Sequence, residues 1–323
     1  MKTLLAGLLI LISTFASAQE VLPSWNASKS KANVIAYVQA VTDEKSTDFI
    51  PEKDRIAVFD NDGTLWSEQP LYFQLFFAMD RVKALASEHP EWKTTEPFKS
   101  VLKHDMNGVM KSGKEGLFKL LAATHAGMSD EEFDAIVINW IKTAKHPTKK
   151  VHYSELVFQP MLELLEYLRA NGFKTFIVSG GGIDFMRPWA SEVYGIPSYQ
   201  IIGSQIEVKY ENGKIIRLPK LRFVDDNVGK PVGIHYQIGK RPVAAFGNSD
   251  GDFDMMKYTE ANKKYKTLEL YVHHTDAKRE WAYDRKSHIG KLDKGLDYAK
   301  SHDWTVVDMK KEWKVIYPFE LKK

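Results

Sequence analysis

The chain has 323 residues, 45 of them Lys or Arg and 42 Asp or Glu, for a formal charge of +3 with the two signs intermixed. Near-balance of this kind argues against a basic nucleic-acid-binding face, and the pairs Lys149-Lys150, Lys263-Lys264 and Lys310-Lys311 are too short to supply one. With no cysteine, neither disulfides nor thiolate metal sites contribute, so stability must come from an apolar core, and ~300 residues suffice for one large core with an inserted lobe.

Residues 1–18 combine a basic start at Lys2, an apolar run from Leu4 to Phe15 and the small-residue ending Ala16-Ser17-Ala18. This layout predicts a secretory signal peptide cleaved before Gln19, the run falling short of the ~20 apolar residues of a spanning helix. The expected mature protein is periplasmic or secreted, with no membrane association after cleavage. Further along, Arg55 to Phe59 reads as a short buried strand opening into the polar loop Asp60-Asn61-Asp62-Gly63-Thr64. Residues 70 to 155 show no strand but several amphipathic helices, one over Gly113 to Ala126 and one through Lys145 opened by the capping-box pattern Ser129-Asp130-Glu131-Glu132. A separate helical lobe is expected there. A helix ending at Asn171-Gly172 precedes a second strand, Thr175 to Val178, which runs into Ser179-Gly180-Gly181-Gly182. Ile206 to Leu218 reads as a β-hairpin turning at Glu211-Asn212-Gly213. A helix over Val232 to Ile238, with Pro231 at its start, leads to a third strand, Pro242 to Phe246, and the loop Gly247-Asn248-Ser249-Asp250-Gly251-Asp252. A fourth strand, Leu268 to Val272, ends in His273-His274. Apolar strands alternating with helices predict a parallel α/β sheet with crossover helices.

In such a sheet the ligand crevice lies beyond the carboxyl ends of the strands, so chemistry is sought in the residues that follow each one. Asp60 and Asp62, two apart, repel unless a cation or a shared proton sits between them; an Asx-type turn accounts for Asp-Asn-Asp-Gly equally well. An EF-hand does not fit, because its sixth position would be Leu65 and its twelfth Leu71. Ser179 and the glycines offer a hydroxyl and backbone N–H groups at a helix start, a natural phosphate cradle, while a plain flexible turn is the structural alternative. Gly229-Lys230 lacks the spacing of a Walker loop. Topology places Lys230 at the crevice edge and Lys240 at the opposite edge. His273-His274 reads as polar flanking of a strand end, and Trp66, Tyr72, Phe73, Phe76 and Phe77 as core aromatics, with Trp66 near enough to Asp60 to wall a pocket.

Together these pieces resemble the haloacid dehalogenase superfamily. Phe59-Asp60-Asn61-Asp62-Gly63-Thr64-Leu65 is similar to its first motif, Val178-Ser179-Gly180 to its second, Lys230 to its third and Gly247 to Asp252 to its fourth, in the same order and with similar spacing. The helical insertion resembles a type 1 cap, and phosphoserine phosphatases are the nearest group. The resemblance implies a Rossmann-like parallel α/β core (residues 19–69 and 156–323) with an inserted helical cap domain (70–155). It further implies that Asp60 is the nucleophile and forms an aspartyl-phosphate, that Asp62 is the general acid and base, and that Ser179 and Lys230 stabilise the transferring phosphoryl group. Gly180 and Gly181, with Trp66 and Gln69, would contact the substrate. Mg²⁺ would be held by Asp60, the main-chain carbonyl of Asp62, and Asn248 and Asp252.

An acid two residues after the nucleophile marks the phosphatases and phosphomutases of the superfamily, and export argues against a mutase. The expected function is thus an exported, Mg²⁺-dependent phosphomonoesterase acting on small-molecule phosphate esters. Two positions depart from the pattern. Asn248 stands where the family usually has an aspartate, which removes one negative charge from the metal site. Gln69 stands where phosphoserine phosphatases have a glutamate, with Glu68 one residue out of register, which argues against phosphoserine itself. Asn248 is also the one feature that favours the alternative, a non-catalytic phosphate- or metal-binding protein on the same fold.

Overall fold

The computed structural model describes residues 20–322, so the expected signal peptide lies outside the described residues. No described helix is long and apolar enough to cross a membrane. The first element, α1 (Lys29–Thr42), is capped by the Ser28 side chain, which accepts from the Lys31 amide, and buries Val34, Tyr37, Val38 and Val41. Next comes β1 (Ile56–Phe59), buried along its whole length. Its side chains alternate between two cores, Ala57 and Phe59 on one face of the sheet and Ile56 and Val58 on the other. A strand covered on both faces has no solvent side to keep polar, which is why it reads as an unbroken apolar run.

Between β1 and the next strand lie α2 (Phe73–Leu85), α3 (Phe98–Leu102), α4 (Met106–Lys111), α5 (Gly113–His125), α6 (Asp130–Thr143) and α7 (Gln159–Ala170). The capping box at the start of α6 forms as read, Ser129 and Glu132 each bonding the other's amide. The helices do not all make one lobe. Leu75, Met79 and Val82 of α2 form a separate core with Val101, Val109 and Leu120, whereas Phe133, Val137, Trp140 and Ile141 of α6 join the main core.

The remaining elements are β2 (Lys174–Gly182), α8 (Ile183–Tyr194), β3 (Ile201–Glu211), β4 (Lys214–Phe223), α9 (Gly229–Ile238), β5 (Ala244–Gly247), α10 (Phe253–Glu260), β6 (Leu268–His273), α11 (Lys294–Ser301), β7 (Thr305–Asp308) and α12 (Met309–Glu312). They complete a seven-stranded sheet in the order β4-β3-β2-β1-β5-β6-β7, parallel except for the β3–β4 hairpin. That hairpin turns through Asn212 (φ 51°) and Gly213 (φ 84°), the positive angles that an Asn-Gly turn supplies. Two differences from the sequence reading bear on the site. The glycines after Ser179 are not a loop: β2 runs on through Gly182, with a register shift between Ser179 and Gly182, and α8 starts at the next residue. In addition, α9 begins at Gly229, which places Lys230 in its first turn.

Candidate active site

The carboxyl ends of β1, β2 and β5 lie side by side at the centre of the sheet. Asp60 follows β1 directly, its amide bonded to the Phe246 carbonyl at 2.9 Å. Beyond it the chain folds back tightly, the amides of Thr64, Leu65 and Trp66 all pointing at the Asn61 carbonyl. Gly63, at φ 77°, has no room for a side chain, since a β-carbon there would lie 2.0 Å from Asn248 Nδ2.

Lys230 reaches in from α9, 2% exposed, and donates to Asp60 Oδ1 at 2.7 Å, Asp252 Oδ1 at 2.6 Å and the Val178 carbonyl at 2.9 Å. Burial works against its charge, but the facing carboxylates of Asp252 and Asp60 more than reverse this and hold the ammonium above its ordinary range. The Asp60 carboxyl is pushed up by burial and by Asp252, with Lys230 pulling the other way. Lys240 lies at the opposite edge, as its place before β5 requires, paired with Asp54 at 2.7 Å.

Asp62 accepts the Trp66 indole N–H at 2.9 Å. Burial raises its carboxyl to about 6, Trp66 and Lys230 opposing the rise. Trp66 was expected to wall the substrate pocket; the structure corrects this. Its ring is covered by Trp189, stacked at 4.5 Å, and Phe73, edge-on at 4.6 Å, and its one polar group is on Asp62, so it packs in the core and fixes the Asp62 carboxylate. Ser179 is also fully buried, and its Oγ accepts the Gly181 amide at 3.1 Å. The Gly182 amide is taken by Gln74 Oε1 at 2.7 Å, a contact that the sequence did not suggest. With the Gly181 N–H already on Ser179, the exposed Gly180 is the residue of the run best placed to meet a ligand.

In the fourth-motif loop the structure corrects a second expectation. Asp252 does not turn a free carboxylate to a cation: Oδ1 is on Lys230, and Oδ2 accepts the amides of Asn248 at 2.9 Å and Ser249 at 3.0 Å. It fixes the lysine and its own loop. Asn248 is 1% exposed, receives the Thr64 hydroxyl on Oδ1 at 3.2 Å and donates from Nδ2 to Glu68 Oε1 at 2.6 Å. His274 was read as mere strand-end polarity, but it buttresses the first-motif loop. Its Nε2 meets the Gly63 carbonyl at 2.7 Å and its Nδ1 meets Glu280 at 3.0 Å, with both side chains buried. His273 pairs at the surface with Asp284 at 3.3 Å. Gln69 faces away from the carboxylates and donates to the Ile289 carbonyl at 3.1 Å.

The donor chemistry fits a hard cation. Asp60 and Asp252 both pair with the Lys230 ammonium, and burial plus the charges of Asp62 and Asp60 push the nearby Glu68 carboxyl up as well. No donor among the described residues reaches Asp60 Oδ2, and no described backbone amide donates to the Asp62 carbonyl. No group of three or more His, Cys, Asp or Glu that could hold a metal ion occurs among the described residues.

The sequence model of the haloacid dehalogenase-like hydrolases matches residues 57–257, more than half of the chain, from within β1 into α10. The chain belongs to this family. No curated protein matches the sequence. Among solved structures, a functionally unknown protein from Anaerococcus prevotii DSM 20548 superimposes with a TM-score of 0.53 at 17% identity, over 89% of this chain and 94% of that one. A protein of unknown function from Bordetella pertussis Tohama I gives 0.49 at 14% identity, over 79% and 98%. A phosphoserine phosphohydrolase-like protein from Francisella tularensis subsp. tularensis SCHU S4 gives 0.36 at 16% identity, over 68% and 87%. The Anaerococcus likeness is one of fold. In this haloacid dehalogenase-like hydrolase a cavity of about 720 Å³ opens at Gln69, lined by Phe76, Met79, Met106 and Tyr153 and bordered by Lys83 and Lys145.

Proposed function

We propose that the protein is a Mg²⁺-dependent phosphomonoesterase that acts outside the cytoplasm on small phosphate esters. The observation that carries this reading is the buried Asp60–Lys230–Asp252 cluster beside a protonatable Asp62, with Asp60 at the end of β1, Asp252 in the loop after β5 and Lys230 in the first turn of α9. Lys230 holds Asp60 Oδ1, leaving Oδ2 to attack phosphorus in line. As the bond from phosphorus to the leaving oxygen breaks, Asp62 gives that oxygen its proton. It takes a proton back from the water that next attacks phosphorus and releases phosphate from Asp60. Lys230 offsets charge on the transferring group, and Ser179 with the Gly180 amide orients its oxygens. Asp60, the Asp62 carbonyl and Asn248 would hold Mg²⁺, which would supply further charge neutralisation. The cavity at Gln69, lined by Phe76, Met79, Met106 and Tyr153, suits the organic part of an ester.

Turnover of p-nitrophenyl phosphate by the purified protein, with and without Mg²⁺, tests the reading. Asp60→Asn is expected to lower kcat by at least ~10³-fold, in line with losses for single catalytic groups. Near-normal turnover in that variant would end the aspartyl-phosphate mechanism, and binding of phosphate or Mg²⁺ without any turnover in the parent protein would mark a binding protein.

A further inference from the structure

Glu68 has no part in the reaction as drawn, yet it is 2% exposed and lies against the one residue that breaks the fourth-motif pattern. Its Oε1 accepts two hydrogen bonds, from Asn248 Nδ2 at 2.6 Å and from Tyr283 Oη at 2.9 Å. With both lone pairs engaged by an amide and a phenolic hydrogen, Oε1 carries no proton, and the proton that burial favours on this carboxyl belongs to Oε2. Two stretches of backbone close around it: a methyl group at Gly290 would lie 1.9 Å from Oε1, and one at Gly63 would lie 2.4 Å away. The carboxylate is therefore fixed in position and cannot swing aside if its partner changes.

An amide side chain has one donor end and one acceptor end, and Glu68 decides which faces where. With Nδ2 turned to Glu68, Oδ1 is the end left for a cation, and it receives only the Thr64 hydroxyl at 3.2 Å. An aspartate at position 248 would bring the same negative charge into the site but would set two carboxylates against each other at the 2.6 Å now spanned by a hydrogen bond.

We propose that Glu68 and Asn248 form a transposed pair, in which Glu68, one hydrogen bond removed from the cation, holds the Asn248 amide oxygen toward it and in its ionised form supplies the negative charge missing from the fourth motif. This rests on the Mg²⁺ reading above and adds a consequence that a simple count of charges at position 248 reverses. Asn248→Asp alone does not strengthen Mg²⁺ binding, because the added charge is opposed by Glu68. The exchange of donor and acceptor in Glu68→Gln with Asn248→Asp keeps both the total charge and the hydrogen bond.

Calorimetric titration of Mg²⁺ into the purified protein without substrate tests this, with circular dichroism to verify folding. Glu68→Gln is expected to weaken Mg²⁺ at least ~10-fold, the size of effect typical of groups that orient metal ligands. Asn248→Asp is expected to bind no more tightly than the parent, and the double variant to return within about 3-fold of it, a rescue that a merely structural Glu68 would not give. Unchanged affinity in Glu68→Gln, tighter binding in Asn248→Asp alone, or a folded double variant as weak as the weaker single one would each overturn the pairing. If Glu68→Gln does not fold, the double variant decides alone, since it restores the lost charge. A parent protein that takes up no Mg²⁺ would overturn the metal reading itself, whereas a parent that binds and a Glu68→Gln variant that binds equally would overturn only the pairing.

Discussion

Asp62 shows how one side chain is tuned by its surroundings. Burial raises its carboxyl to about 6, so near that pH it exists in both the form that gives a proton and the form that takes one. Expulsion of an alkoxide needs the protonated form, whose fraction falls as pH rises through about 6. For an alkyl phosphate, kcat/KM is therefore expected to decline above that pH, and Asp62→Asn to remove the decline along with most of the rate. p-Nitrophenolate leaves without a proton, so its penalty in Asp62→Asn should be smaller; equal losses on both esters would show that Asp62 is not the acid. Asp60, Asp62, Ser179 and Lys230 were legible because each stands at a strand or helix end and needs only local topology to be placed. Glu68, Gln74 and His274 were not, since their partners lie 180, 108 and 211 residues away and nothing in their own neighbourhoods encodes the meeting. Trp66 was misjudged for a related reason: proximity to Asp60 in sequence does not say whether a ring faces the crevice or the core.

At the level of elements, the β3–β4 hairpin is pinned to the helices by Arg217. This side chain is 2% exposed, donates to Asp184 at 3.2 Å and the Ser129 carbonyl at 2.7 Å, and lies over the Phe133 ring at 4.4 Å. Asp184 and Asp134 keep 25% and 45% of their side-chain surface, so losing the arginine returns them partly to water rather than stranding them. Arg217→Met is thus expected to lower unfolding free energy by about 1–3 kcal/mol, less than for a wholly enclosed pair. Urea denaturation checks this, and an unchanged midpoint would mean the hairpin is held by other contacts. The turn of that hairpin was readable from Asn212-Gly213. Its attachment to α6 was not, because a lone arginine in a strand reads as a solvated residue. The extension of β2 through three glycines was hidden for another reason: glycine weakens a strand by propensity, and only pairing with β3 keeps it extended here.

Across the whole molecule, the parallel sheet could be foreseen from four apolar runs, whereas the edge strand β7, with only Val306 and Val307 apolar among its four residues, is too short a run to stand out. The sheet also encloses a carboxyl that does no chemistry. Glu269, on β6 and 6% exposed, is raised by burial to about 8 from its ordinary 4.5, and its Oε1 has no hydrogen-bond partner. Its folded form holds a proton that the unfolded chain releases between about pH 4.5 and 8, so its stabilising contribution is complete below that window and is lost as pH rises through it. Glu269→Gln is expected to flatten the decline of Tm between pH 5 and pH 8, and the idea fails if both proteins show the same slope.

The central position of β1 has a kinetic side. Phe59 pairs with Ile177 on one flank and Phe246 on the other, so the residues that follow these strands meet only after very long loops have closed. Closing such loops is an entropic debt met before any contact between them is gained. A chain that ends before Lys230 has a nucleophile without its lysine, and one that begins after Asp60 has a lysine without its nucleophile. The cluster is assembled only when both ends of this 170-residue span are present.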